Sequence, residues 1–159
     1  MVRERSHRLS RDAYLGEVVV AFTACVTDRQ PAFTDDEIVG VFADALRDAA
    51  QRSASTVLLY CFMPDHAHIV LRGQTPRADV WRAMVTFKQK TGFWLRKHNA
   101  GIRWQKDFFD RVVRRNDDLM AELRYIALNP VRGGLVKDWS KYPFLGSDAY
   151  DLEDLFAAA

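Results

Sequence analysis

The sequence predicts an α+β fold, an antiparallel sheet with helices packed on one face, and three observations predict it. Stretches of β-branched and aromatic residues alternate with stretches whose apolar residues recur three and four apart. Two of the strand-like stretches are joined only by Pro64 and Asp65, which reads as a β-hairpin. The resulting order, β-α-β-β-α-β-α, is a split β-α-β pattern.

Residues 17–27 (EVVVAFTACVT) lack a helix-period stripe and are rich in strand formers, so they read as a central strand. Thr34, followed by Asp35, Asp36 and Glu37, has the spacing of a capping box. Ile38, Val41, Phe42, Ala45, Leu46 and Ala49 then repeat at helical spacing, predicting a helix over 35–52. Residues 56–63 and 66–72 form the hairpin strands, with Pro64-Asp65 as the turn. Beyond Gly73 and Pro76, the apolar face of Val80, Met84, Phe87, Thr91 and Trp94 marks a second helix ending near Asn99 and Gly101. A short strand over 108–113 follows. Asn116 then reads as the N-cap of a third helix, with Asp117 and Asp118 in its first turn and Pro130 as its stop.

The 159 residues are 48% hydrophobic, enough for one sizeable core, so residues 1–159 are expected to form one domain, with 131–159 as a C-terminal extension packing on it. The extension is mildly acidic and expected to pack through Trp139, Tyr142, Phe144, Leu145, Tyr150 and Phe156. No apolar run is long enough to cross a bilayer, and the first dozen residues lack the apolar middle of a secretory signal. The expectation is a cytoplasmic protein without a membrane partner. Cys25 and Cys61 lie in apolar runs and are expected to be buried reduced thiols.

The formal charge is only +2, but ten bases stand against two acids between residues 82 and 115, a local balance of +8. Phe87, Phe93, Trp94, Trp104, Phe108 and Phe109 are interleaved with them. Such a mixture suits phosphates held by charge and bases held by stacking. It equally suits a solvated helix face with its aromatics in the core.

His66 and His68 stand two apart on a predicted strand, so both imidazoles project from one face within reach of a single metal ion. Taken alone they also fit a satisfied core or surface pair. Tyr125 and Asn129 stand four apart on the third predicted helix and share a face. A carboxamide oxygen beside two imidazoles suits Mg²⁺ or Mn²⁺, and a neighbouring tyrosine could serve as nucleophile in phosphoryl transfer.

The segments FMPDHAHIVL and LRYIALNPVRGGLV, in that order, resemble the HUH single-tyrosine transposases, and more narrowly their REP-associated tyrosine transposase branch. The likeness continues through FTACVTDRQPAF, TFKQKTGFWLRK, FFDRVVR and WSKYPFLGSDAYDL. The resemblance implies a ferredoxin-like or RRM-like sheet and a metal-dependent endonuclease and strand transferase acting on single-stranded DNA near a hairpin. Tyr125 would be the nucleophile, forming a 5′-phosphotyrosine intermediate, and His66, His68 and Asn129 would hold Mg²⁺ or Mn²⁺. Lys88, Lys90, Arg96, Lys97, Arg114 and Arg115 are the expected DNA contacts, the hairpin being a REP-like palindrome or transposon end. The resemblance is compatible with a monomer or a homodimer. Asp65 stands where Asn is frequent, and Ala127 and Gly133 also depart from the pattern without removing a core catalytic group.

Two other classes fit parts of the sequence. A non-catalytic RRM-like module would bind single-stranded nucleic acid through aromatics and needs no histidine pair. A zinc hydrolase would use His66 and His68 with water as nucleophile, but His7, His98, Cys25 and Cys61 supply no recognisable zinc spacing.

Overall fold

The structure is a computed structural model that describes residues 10–157; His7 lies outside them. Its strands are β1 (Val19–Cys25), β2 (Ser55–Met63), β3 (His66–Gly73), β4 (Phe109–Val112) and β5 (Leu145–Gly146). Its helices are α1 (Asp36–Arg52), α2 (Val80–His98), α3 (Asn116–Ala127), α4 (Asn129–Arg132) and α5 (Leu152–Ala157). The strands form one antiparallel sheet in the order β4-β1-β3-β2-β5. This is the α+β class expected from the sequence. No helix among the described residues is long and apolar enough to cross a membrane.

Each face of the sheet carries its own core. On one face, Val20, Phe22, Ala24, Phe62, Ala67, Ile69 and Leu71 pack against α1 and α2. Phe42 is the hub of this layer: its ring lies 5.3 Å from Phe33, 6.2 Å from Phe87, 5.8 Å from Trp94 and 6.1 Å from Trp104. The opposite face is covered by α3, through Leu119, Leu123 and Ile126, and by the C-terminal segment. The sequence predicts helices on one face only; α1 and α2 are there, and α3 adds a layer behind the sheet.

Alternation along β2 breaks at a bulge. Val57 pairs with Leu71 and Leu59 with Val70, so Leu58 is an extra residue in the ladder. Val57 therefore joins the α1 and α2 core, while Leu59, Cys61 and Met63 face α3. The C-terminal segment continues the sheet at this edge. The Phe62 N–H donates to the Phe144 carbonyl at 2.9 Å, and the Tyr142 hydroxyl donates to the Phe62 carbonyl at 2.5 Å. Trp139 meets Phe156 edge to face at 5.2 Å.

Several boundaries differ by local chemistry. Asp35 caps α1, its carboxylate accepting from the Ile38 N–H at 3.0 Å, and Thr34 lies one position outside. Asn116 is the first helical residue of α3, with Arg115 in the cap position. Pro130 does not stop α3, which ends at Ala127; it sits in the first turn of α4, where a missing N–H costs nothing. The elements α4, β5 and α5 are too short to give a periodic signal. Cys25 and Cys61 are buried thiols outside any disulfide, and burial pushes the Cys61 thiol up to about 12.

Replacing Phe42 by Ala should destabilise the fold by about 3–5 kcal/mol, because it empties the centre of an aromatic cluster. Urea denaturation measures this, and a loss under about 1 kcal/mol would mean that the cluster collapses around the gap.

Candidate active site

The two-residue period of β3 sends Ala67, Ile69 and Leu71 into the α1 and α2 core and turns His66, His68 and Val70 toward α3. Cross-strand partners fix the surroundings. His68 pairs with Thr23 of β1 and Cys61 of β2, and His66 with Cys25 and Met63. The two rings stand edge to face with centroids 4.8 Å apart.

Each imidazole is held at its outer nitrogen. His66 Nδ1 lies 2.6 Å from Asp65 Oδ1, and His68 Nδ1 lies 3.1 Å from Thr23 Oγ1. Asp65 in turn lies 3.8 Å from the Arg29 guanidinium. With Nδ1 so engaged, the Nε2 atoms face one another at 3.2 Å, a gap that holds one proton or one cation. The Asn129 side-chain amide stands 2.8 Å from His68 Nε2. Turning that carboxamide end for end would present its oxygen at the same place.

These donors fit a divalent cation. Two imidazole nitrogens and a carboxamide converge on one point, and each imidazole is braced by an oxygen on its far side, as metal-bound histidines require. No group of three His, Cys, Asp or Glu side chains suited to a metal occurs among the described residues; the polar side chain that joins the two imidazoles is the Asn129 carboxamide, 2.8 Å from His68 Nε2. Burial, with the charges of His66 and Arg132, holds His68 down to about 4, which keeps it neutral and its lone pair available.

Tyr125 stands one helical turn before Asn129, near the end of α3, whereas Asn129 opens α4 after a break at Leu128. The Leu128 N–H donates to the Arg124 carbonyl at 3.0 Å, which closes the last turn of α3 before α4 begins. Tyr125 is 59% exposed. The Arg132 guanidinium lies over its ring at 3.9 Å and donates to its carbonyl at 2.5 Å.

The expected DNA contacts are scattered. Lys88, Lys90, Arg96 and Lys97 are on α2, across the sheet from the histidines. The Lys88 ammonium donates to the carbonyls of Gln105 and Asp107, and Lys90 pairs with Asp48 at 2.6 Å. Arg96 and Lys97 lie 5.7 and 4.7 Å from the ring of Phe93, which is 52% exposed. Arg114 and Arg115 are exposed at the junction of β4 and α3. The Val113 N–H donates to the Val19 carbonyl, which places that junction about 13 Å along β1 from the level of Thr23 and His68. The sequence does not single out the supports Asp65, Thr23 and Arg132 as site residues. An acid immediately before the histidine pair is the available signal for the first; the other two require the fold.

The model of the family described as "Transposase IS200 like" matches residues 16–127, and the chain belongs to that family. Within it, the chain is similar to REP-associated tyrosine transposases. One relative is a Haemophilus influenzae protein that carries this name provisionally, 28% identical over 134 residues that span 74% of each chain. The REP-associated tyrosine transposase of Escherichia coli is 31% identical over 87 residues, covering 52% of this chain and 48% of its own. The fold is also that of a solved REP-associated tyrosine transposase bound to a REP hairpin, with a TM-score of 0.73 and 21% identity over 87% of this chain and 81% of that one.

The state of His68 makes stability depend on pH. An unfolded histidine titrates near about 6.5, whereas His68 in the fold is held to about 4. Between these values the unfolded chain binds one more proton, so this contribution is complete above about 6.5 and is lost as pH falls toward 4. The slope is up to about 1.4 kcal/mol per pH unit. Denaturation of His68→Gln between pH 4.5 and 6 should show a shallower slope than the parent; equal slopes would rule out a neutral buried His68.

Proposed function

We propose that this chain is a metal-dependent endonuclease and strand transferase that cuts and rejoins single-stranded DNA beside a hairpin, in the cytoplasm. The observation that carries the reading is the convergence of His66 Nε2, His68 Nε2 and the Asn129 carboxamide, with the exposed Tyr125 near the end of α3, four residues before Asn129. The similarity to REP-associated tyrosine transposases, one of them solved with a REP hairpin, supports a REP-like palindrome or transposon end as the DNA.

His66, His68 and Asn129 would hold Mg²⁺ or Mn²⁺, which when bound supplies positive charge to a non-bridging oxygen of the attacked phosphate. Asp65 and Thr23 keep the two imidazoles aimed inward. Arg132 covers one face of the Tyr125 ring and limits the directions its hydroxyl takes. The Tyr125 oxygen gives up its proton and attacks phosphorus, the bond from phosphorus to the 3′ oxygen breaks, and that oxygen takes up a proton. The product is a 5′-phosphotyrosine with a free 3′-hydroxyl. Attack by another strand's 3′-hydroxyl reverses the exchange and frees the tyrosine. The bond energy is conserved, so no nucleotide cofactor is required.

Pairing and stacking hold a duplex backbone to one stiff path, whereas an unpaired strand can bend its phosphate into a small site and offer its bases to protein rings, so an exposed tyrosine on a small domain favours an unpaired strand. Exposed Phe93, flanked by Arg96 and Lys97, suits contacts with DNA beyond the cut site. A non-catalytic binding module would share those contacts but has no use for the braced histidine pair.

End-labelled hairpin DNA with a single-stranded flank, incubated with Mg²⁺ or Mn²⁺ and run on a denaturing protein gel, should give a covalent band. Tyr125→Phe should abolish the band while changing DNA affinity less than about threefold. His66→Ala should lower adduct formation at least about 100-fold, as should chelation. A covalent band that persists in the Tyr125→Phe variant would remove Tyr125 as nucleophile; binding without any band in the parent chain would point to the non-catalytic module.

A further inference from the structure

On the α3 face, the strand register sets one row of side chains: Phe109 of β4, Thr23 of β1, His68 of β3 and Cys61 of β2. Neighbouring strands lie about 4.8 Å apart, so Phe109 stands roughly 10 Å from His68 on the same face. It is 38% exposed, a large apolar ring open to solvent at the sheet edge beside a polar site. Arg111 follows two residues later on that face, paired with Ala21 across the ladder. Its guanidinium lies 3.6 Å from Glu122 of α3. A groove of about 460 Å³ is lined by Arg111, Asp118, Ala121, Glu122 and Tyr125, and Phe109 stands beside it, two residues before Arg111 on the same strand face.

The chemistry of this groove selects its occupant. Asp118 and Glu122 make it a poor seat for a phosphate, because two carboxylates oppose an anion. A nucleobase has no charge to repel. Its face would find the Phe109 ring, and its edge would meet a donor-only guanidinium beside an acceptor-only carboxylate. Guanine satisfies both groups at once: its N1–H and N2–H donate to the carboxylate, and its O6 accepts from the guanidinium. The Glu122 side chain is only 20% exposed, so it holds a fixed position from which to read such an edge.

We propose that Phe109, Arg111 and Glu122 form a nucleobase subsite for the nucleotide adjoining the phosphate that Tyr125 attacks, with Phe109 stacking on the base and Arg111 and Glu122 selecting guanine. The subsite rests on the reading of Tyr125 as a DNA nucleophile. It gives the edge strand a specificity role separate from the histidine pair, and it places a base contact on the same face as the attacked phosphate.

Equilibrium binding tests it in the full chain carrying Tyr125→Phe, which prevents cutting. The probes are hairpin DNAs with a single-stranded flank in which each flank nucleotide in turn is abasic. One abasic position should weaken binding by about 5- to 100-fold, the range of a lost base–aromatic stack. Adding Phe109→Ala should weaken binding to intact DNA by a similar factor and make that abasic position indifferent. Phe109→Leu, which keeps apolar bulk and guards against a folding defect, should behave like Phe109→Ala. Guanine at that position should bind about tenfold tighter than adenine, and Glu122→Gln should erase the difference. The subsite is overturned if the parent binds the hairpins and every abasic penalty survives in both Phe109 variants. It is also overturned, in its choice of base, if the four bases bind alike. A parent chain that binds none of the DNAs would bring down the functional reading itself and the subsite with it.

Discussion

The alternation of β3 sets where every other part of the site stands. A strand buried on both faces must satisfy two cores, and here Ala67, Ile69 and Leu71 complete one while Val70 completes the other. His66 and His68 occupy the two positions of the second face that precede Val70, at the end where the hairpin turns. A shift of one residue would bury both imidazoles beneath α1 and α2 and expose Ala67 and Ile69 in their place. The apolar pattern thus holds the histidines in register more firmly than any contact between the histidines does.

The second layer makes that register useful. Leu119, Leu123 and Ile126 anchor α3 to the sheet face that carries the histidines, so the end of α3 and the start of α4 arrive above β3. At Leu128 the chain passes from one helix to the next, with Tyr125 just before the break and Asn129 just after it. Behind the first contacts stands a set of oxygens: Asp65 on His66, Thr23 on His68, with Arg29 near Asp65. Asp28 and Arg29 adopt the left-handed backbone region, with φ of 58° and 53°, in the short turn after β1. Such a conformation costs about 1 kcal/mol or more per residue outside glycine and is sustained here by backbone pairing of Val26 with Asp65 and Thr27 with Arg103.

Charge is distributed by layer. Much of the basic stretch sits on α2, across the sheet from the histidines, and part of it is committed to protein partners: Lys88 to backbone carbonyls, Lys90 to Asp48. Arg96 and Lys97 instead gather around exposed Phe93. The site face has a different character, with Arg132 over the tyrosine and Arg111 beside Glu122. Counting bases along the sequence therefore describes two surfaces as if they were one.

Local sequence patterns suffice for the order of the elements, the hairpin, the two long helices and the candidate groups His66, His68, Tyr125 and Asn129. Period-two and period-3.6 repeats over long segments carry that information, and two histidines two apart on a strand must point to the same side. Tertiary structure decided what local patterns cannot encode. The bulge at Leu58 reverses the facing of Leu59, Cys61 and Met63, although the residues themselves read as an uninterrupted apolar run. The placement of α3 behind the sheet brings Asn129 to His68 across 61 positions of sequence. The neighbours of His68 on β1 and the approach of Arg111 to Glu122 depend on which strands pair and which helix covers them, and those are choices of the whole chain's packing, made where buried apolar area outweighs any local preference.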